Sequence, residues 1–255
     1  MTAPLLDLSG KRALVTGGSR GVGAATARLL ARAGARVAVG YRTRSADAAA
    51  LCREIENGGG EALALGGDLS EESECVRLFD EAESALGGLD VFVGNHGIWP
   101  HRSVPLSDMT SEQWARTMRV NLDSLFWTTR EAARRLAEGG RIVLVSSTAA
   151  QRGEAGHGDY AASKGAVVSL VKGLAVELAP RDITVNAVAP GWVDTEMAAP
   201  ALQGPRLEEA RRGIPLGRIA SAEDVAGPIV FLASPLARHV TAEVLNVNGG
   251  AVRIG

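Results

Sequence analysis

Tyr160 and Lys164 stand four residues apart, and Ser147 lies thirteen residues before the tyrosine. Positions i and i+4 share one face of a helix. A helix over 160–179 would therefore aim a phenol and an ammonium at one small volume, where a serine from the preceding strand end can join them. Those three groups suit carbonyl and alcohol chemistry: a proton donor, a cation beside it and a second hydroxyl on the same oxygen. The chain holds two tyrosines and three lysines. Chance would place a lysine four after a tyrosine in about one such sequence in forty, before any demand for the serine. Singly, each residue has an ordinary explanation, since a serine at a strand end can satisfy a turn and a lone lysine is commonly a solvated charge. Together, their spacing outweighs those explanations.

Something must hold these groups. Short β-branched runs at 12–16, 36–40, 62–65, 91–94, 141–147, 184–189 and 243–247 alternate with about six Ala/Leu-rich amphipathic stretches. The runs lack period-two polarity, as strands buried on both faces do, and the spacers are long enough for helical crossovers. The expected fold is α/β: a single Rossmann-type doubly wound domain over 1–255, with a seven-stranded parallel sheet flanked by helices on both faces. Thr110-x-x-Gln113 and Ser221-x-x-Asp224 resemble capping boxes, and Gly34, Gly87-Gly88 and Gly139-Gly140 read as helix stops. Only 192–217 breaks the rhythm with Gly, Pro and charges, which predicts a mobile flap over a site.

The first strand runs into Gly17-Gly18-Ser19-Arg20-Gly21-Val22-Gly23 and then an Ala-rich helix. Glycines between a strand and a helix bring backbone N–H groups and a helix N-terminus up to a pyrophosphate. The rest of the composition narrows the function. A net charge of −2, with 27 basic and 29 acidic residues interleaved, leaves no basic stripe for nucleic acid or a membrane surface. Cys52 and Cys75 form no C-x-x-C pair and no metal cluster is visible, so a reducing cytoplasm is the expected location. No uninterrupted apolar run approaches membrane-spanning length.

The glycine spacing resembles that of the short-chain dehydrogenase/reductase family, and the resemblance extends over nearly the whole chain. Asp68 follows the third strand, Asn95-His96-Gly97 the fourth, Val120-Asn121 lies within the fifth helix, and Asn186 to Gly191 covers the sixth strand. Within the family the chain looks most like the 3-oxoacyl-(acyl-carrier-protein) reductases and their relatives that reduce free ketones. One departure is His96, where the family commonly has a small residue. The resemblance implies a catalytic tetrad of Asn121, Ser147, Tyr160 and Lys164. Tyr160 would be the general acid, its pKa lowered by Lys164 and by the oxidised nicotinamide. Lys164 would hold the nicotinamide ribose, and Asn121 a water that relays protons. It further implies that Asp68 and Leu69 contact adenine, that Thr195 holds the carboxamide, and that Asn95, Gly97, Pro190, Gly191 and Val193 border the cofactor. The ending HVTAEVLNVNGG is similar to the segment that helps this family form homotetramers.

Cofactor choice is read at the end of the second strand. An Asp there would bind the NAD ribose and repel a 2′-phosphate, but the chain has Tyr41 followed by Arg42 and Arg44, with Arg20 in the glycine loop. Guanidiniums favour a phosphate, so NADP(H) is expected ahead of NAD(H). The substrate walls are expected to be Ile98, Trp99, Ala149, Gln151, His157, Trp192 and the flap from Met197. An acyl carrier protein partner is left open: Arg181 matches a carrier-facing position, and Arg130, Arg134 and Arg135 share a helix, but Glu138 stands where a basic residue is common. The leading expectation is an NADPH-dependent ketone reductase, with 3-oxoacyl thioesters among its candidate substrates. An NAD-linked alcohol or sugar-alcohol dehydrogenase and a non-enzymatic dinucleotide sensor are the alternatives.

Overall fold

Alternate residues of β1 (Arg12–Val15) serve two different cores, which is why the strand is apolar after Arg12. Ala13 and Val15 face one cluster and Leu14 the other. The computed structural model describes residues 6–253. The other strands are β2 (Arg36–Tyr41), β3 (Glu61–Gly66), β4 (Leu89–Gly94), β5 (Leu136–Val145), β6 (Thr184–Pro190) and β7 (Val244–Val247). They form one seven-stranded parallel sheet in the order β3-β2-β1-β4-β5-β6-β7. This is the expected doubly wound arrangement.

The helices are α1 (Gly21–Arg32), α2 (Ser45–Asn57), α3 (Glu72–Leu86), α4 (Ser111–Met118), α5 (Ser124–Arg135), α6 (Ala149–Arg152), α7 (Gly158–Leu178), α8 (Pro205–Arg212) and α9 (Ala222–Ala233). α1, α2 and α9 pack Leu30, Leu51 and Ile229 on one sheet face, and α3, α5 and α7 pack Phe79, Leu125 and Val171 on the other. Phe79 and Phe92 meet at 5.3 Å between ring centroids. Burying such side chains supplies about 1.5–3 kcal/mol each before entropy is charged. Cys52 and Cys75 are free and buried. No helix among the described residues is long and apolar enough to cross a membrane.

Local signals differ from expectation in three places. Ser221 and Asp224 complete a reciprocal capping box, but Thr110 caps α4 from one side, because Gln113 Nε2 donates to Asp159 on α7 instead of turning back. Gly139-Gly140 does not stop a helix. α5 ends at Arg135, Leu136 already pairs with Leu89, and the glycines carry an irregularity before regular pairing resumes at Arg141. A side chain at Gly140 would lie 2.9 Å from the Ala137 carbonyl oxygen, so the tight loop needs glycine there. Finally, the fifth helical stretch is broken by a π turn, Arg119–Asp123, that carries Asn121. Such turns re-aim one side chain within a helix.

Candidate active site

β1 leads left to β2 while β4 begins the right half of the sheet, so the two loops leaving their carboxyl ends diverge and open a crevice. A cavity of about 880 Å³ occupies it. On one side the glycine loop folds against itself. A Cβ at Gly23 would fall 2.2 Å from the Gly17 carbonyl oxygen and 2.6 Å from Asn95 Nδ2, so Gly23 is a packing glycine and does not face the cavity. Asn95 holds the loop in place, its carboxamide donating to the carbonyls of Thr16 and Gly17 at 3.1 and 3.0 Å. Gly17, Ser19, Arg20, Gly21 and Val22 then present bare backbone and the α1 N-terminus to the cavity. Tyr41, Arg42, Asp68 and Leu69 border its far end, and Gly97, Pro190, Gly191, Val193 and Thr195 its near end. The residues fit a dinucleotide: a bare loop for a pyrophosphate, and guanidiniums and a carboxylate beyond it.

Ser147, Tyr160 and Lys164 converge on the same cavity. Ser147 follows β5, and Ser146 Oγ donates to the Lys164 carbonyl at 2.9 Å, which fixes α7 against the strand end. Tyr160 is hydrogen-bonded to Ser147, but burial dominates and Glu154 adds to it, so the phenol is pushed up to about 12. The direction is opposite to the lowering expected from Lys164; desolvation of a phenolate is the physical reason. Burial pushes Lys164 down to about 8, and its Nζ donates to the Val145 carbonyl at 2.8 Å.

Asn121 stands behind this group and does not border the cavity. Its Oδ1 accepts from the Ile98 N–H at 2.8 Å while Nδ2 donates to the Ile98 carbonyl at 2.9 Å and to Ser163 Oγ at 3.2 Å. It therefore clamps the loop after β4, and its Oδ1 would lie 3.2 Å from a Cβ at Gly97, a glycine that also borders Lys164.

Ile98, Trp99, His157, Trp192 and Met197 form the apolar end of the cavity. Trp99 stacks on His157 at 4.7 Å, meets Trp192 edge-on at 5.8 Å and donates from Nε1 to Glu154 at 3.2 Å. Ala149 and Gln151 do not reach this wall: Ala149 is buried in α6, and Gln151 Nε2 donates to Asn246 at 2.6 Å. The 192–217 segment is closed at its base, where the Asp194 N–H donates to Ala220 and the Ala220 N–H to Trp192. It carries α8, from which Arg206 and Glu209 also border the cavity.

Two features escaped the sequence reading in part or whole: His96 was legible as a departure without its partners, and Asp159 was not read at all. His96 bridges Thr16 Oγ1 through Nδ1 and Ser124 Oγ through Nε2, both at 2.8 Å. Both hydroxyls also lie near a backbone carbonyl, Ser124 Oγ 2.6 Å from Val120 O and Thr16 Oγ1 3.2 Å from Val93 O. A neutral ring donates from one nitrogen only, so the shorter Ser124 bond is kept, Ser124 accepts from Nε2–H, and Thr16 turns its hydrogen to Nδ1. Burial and the nearby Lys164 charge push this imidazole down to about 3, which keeps it neutral. Asp159, fully buried, accepts from Thr117 Oγ1 at 2.7 Å and from the Tyr160 N–H at 2.9 Å, tying the catalytic helix to α4. The only signal for either was a polar residue beside a motif.

A crevice at a parallel-sheet switch point, a glycine loop before a helix and a Ser–Tyr–Lys group define a dinucleotide-dependent oxidoreductase. A family model described as enoyl-(acyl carrier protein) reductase matches residues 17–252. Among similar proteins, L-rhamnose 1-dehydrogenase (NAD(P)(+)) of Azotobacter vinelandii is 40% identical, the match covering 94% of this chain and 96% of that one. The 3-oxoacyl-[acyl-carrier-protein] reductase of Vibrio cholerae is 39% identical over 98% and 100% of the two chains. A short-chain dehydrogenase of Burkholderia cenocepacia, solved in complex with NADP, superposes with a TM-score of 0.90 at 40% identity over 96% and 98%. The chain belongs to the short-chain dehydrogenase/reductase family and is an oxidoreductase.

Proposed function

We propose that the protein interconverts a free ketone and its secondary alcohol with NADP(H), Tyr160 serving as general acid in reduction and general base in oxidation. The observation that carries this reading is the convergence of Ser147, Tyr160 and Lys164 on a cavity that the glycine loop also borders. When bound, the reduced nicotinamide supplies the hydride for the carbonyl carbon. As the C=O π electrons move onto oxygen, Tyr160 gives that oxygen its proton and Ser147 donates a second hydrogen bond. A phenol at about 12 remains protonated across the physiological range, as a donor must. Lys164 stabilises the resulting phenolate until solvent reprotonates it. Asn121 keeps the Ile98 loop, and with it the substrate wall, in register with these groups.

NADP(H) is favoured because Arg20, Arg42 and Arg44 gather at the adenosine end with no aspartate at the close of β2. The bound NADP of the similar Burkholderia structure supports the same choice. A free ketone is favoured over a carrier-bound thioester because the arginines that could meet an acidic carrier already have partners. Arg181 donates to the carbonyls of Ala133 and Leu136 at the α5 terminus. Arg130 pairs with Glu72, Arg134 with Glu131, and Arg135 with Asp80 and Glu131. The thioester reading keeps the support of the similar Vibrio enzyme. The assembled form is a homotetramer in the cytoplasm.

Initial rates of NADPH and NADH oxidation with a 3-oxoacyl thioester and with a panel of free aliphatic and aryl ketones test the proposal. NADPH-specific turnover of free ketones is expected, and rapid turnover of the thioester alone would replace it with the carrier-linked reading. Tyr160→Phe should bind NADPH normally and lose at least 100-fold in kcat, about the smallest contribution usual for general acid catalysis. Full reduction by that variant would rule out the mechanism.

A further inference from the structure

Glu196 follows Thr195 at the start of the flap, and a single one of its oxygens, Oε2, accepts from Arg20 Nη1 at 2.5 Å and from Arg44 Nη2 at 2.9 Å. The three side chains are about half exposed and border the same cavity. Arg20 comes from the glycine loop and Arg44 from the turn after β2, so the carboxylate spans two of the loops that frame the adenosine end. Arg44 has one other anionic contact, to Asp47 at 3.5 Å. An oxygen held between guanidiniums from two separate loops marks a place for an anion. These are two of the three guanidiniums available to a 2′-phosphate there.

We propose that Glu196 is a specificity-determining residue that competes with the cofactor 2′-phosphate for Arg20 and Arg44. The inference rests on the NADP(H) reading and deepens it. An N–H that donates to the carboxylate is not free for the phosphate, and the carboxylate's charge opposes a second anion beside it, so NADP(H) competes with Glu196 for these guanidiniums, whereas NAD(H) has no group that does. Displacement also reaches the flap. Thr195, one residue earlier, packs its methyl on the glycine loop, 3.2 Å from where a Gly21 Cβ would stand. Cofactor choice and the position of the flap base are thereby coupled. Because the ion pairs are solvated, the competition amounts to roughly a fivefold change in Kd.

Dissociation constants for NADPH and NADH, measured by calorimetry at low ionic strength on the wild type, Glu196→Gln, Arg44→Ala and the double variant, test this directly. Glu196→Gln should bind NADPH about fivefold more tightly and NADH within twofold of the wild type. The gain should fall by at least half when Arg44 is already Ala, and should fade in high salt. Weaker NADPH binding by Glu196→Gln, or equal shifts for both cofactors, would overturn the proposal, because Glu196 would then clasp the bound dinucleotide whatever its phosphate. A wild type that binds both cofactors alike counts against the NADP(H) reading. The Glu196 inference still stands or falls on the selective gain in the variant.

Discussion

Lys164 is a charge that the fold tolerates at a cost. Its pKa falls from 10.5 to about 8 because the ammonium is buried, with one backbone carbonyl as partner. A lysine whose folded pKa lies below its unfolded one destabilises the native state fully below the folded value. The penalty is relieved as pH rises from about 8 towards 10.5, where the unfolded chain binds the extra proton. Lys164→Met should therefore be more stable than the wild type at pH 7, by up to about 3 kcal/mol, with catalysis lost. Its advantage should shrink steadily above pH 8. Denaturant melts of both proteins across that range check this, and a constant difference would mean that the lysine has the same pKa folded and unfolded and carries no burial penalty. The residue itself was legible: spacing named Ser147, Tyr160 and Lys164. Its energetics were not, since burial comes from β5, the 97 loop and α7 closing together. His96 illustrates the same limit, because its two partners lie 80 and 28 residues away.

At the scale of elements, period located every strand, while Gly139-Gly140, read as a helix stop, lies within β5; two further errors arose where a side chain preferred a distant partner to a local one. Gln113 took Asp159 over its own cap, and Gln151 took Asn246 over the cavity. The π turn left no mark in the sequence beyond Asn121 itself. Arg181 is the most consequential case. A surface arginine after α7 reads as available for a partner, but its two Nη atoms satisfy carbonyls where α5 ends and β5 begins. The last carbonyls of a helix have no intrahelical donors, and a cation there also meets the negative end of the helix dipole. Arg181→Ala should lower stability by about 1.5–3 kcal/mol, the range for hydrogen bonds from a charged group. NADPH-dependent reduction of small ketones should be unchanged at a temperature where the variant is folded. A variant with wild-type stability and a selective loss of rate on carrier-bound thioesters would return Arg181 to a docking role.

Over the whole molecule, the sheet gathers the chemistry at one edge and leaves other surfaces unfinished. The cofactor loops, Tyr160 and the flap all lie at the carboxyl ends of the strands, so the opposite end is free for stability alone. β7 is the last strand in the sheet order, and Phe231 on α9 and Leu236 just after it are exposed. Trp114 on α4, Phe126 on α5 and Val176 on α7 are further large apolar side chains left exposed. Open sheet edges invite pairing, and exposed large apolar residues favour burial against a partner. Two such regions on different elements, each applied to its own copy through a two-fold axis, generate a closed tetramer, whereas one would stop at a dimer. Light scattering should accordingly give four times the monomer mass. The pair Phe231→Asp and Leu236→Asp should reduce this to twice the monomer mass, with the dimer held by the helical face. Phe126→Asp with Val176→Asp should give the other dimer. A monomeric wild type would exclude the tetramer, and a tetramer that survives both pairs would place its interfaces elsewhere.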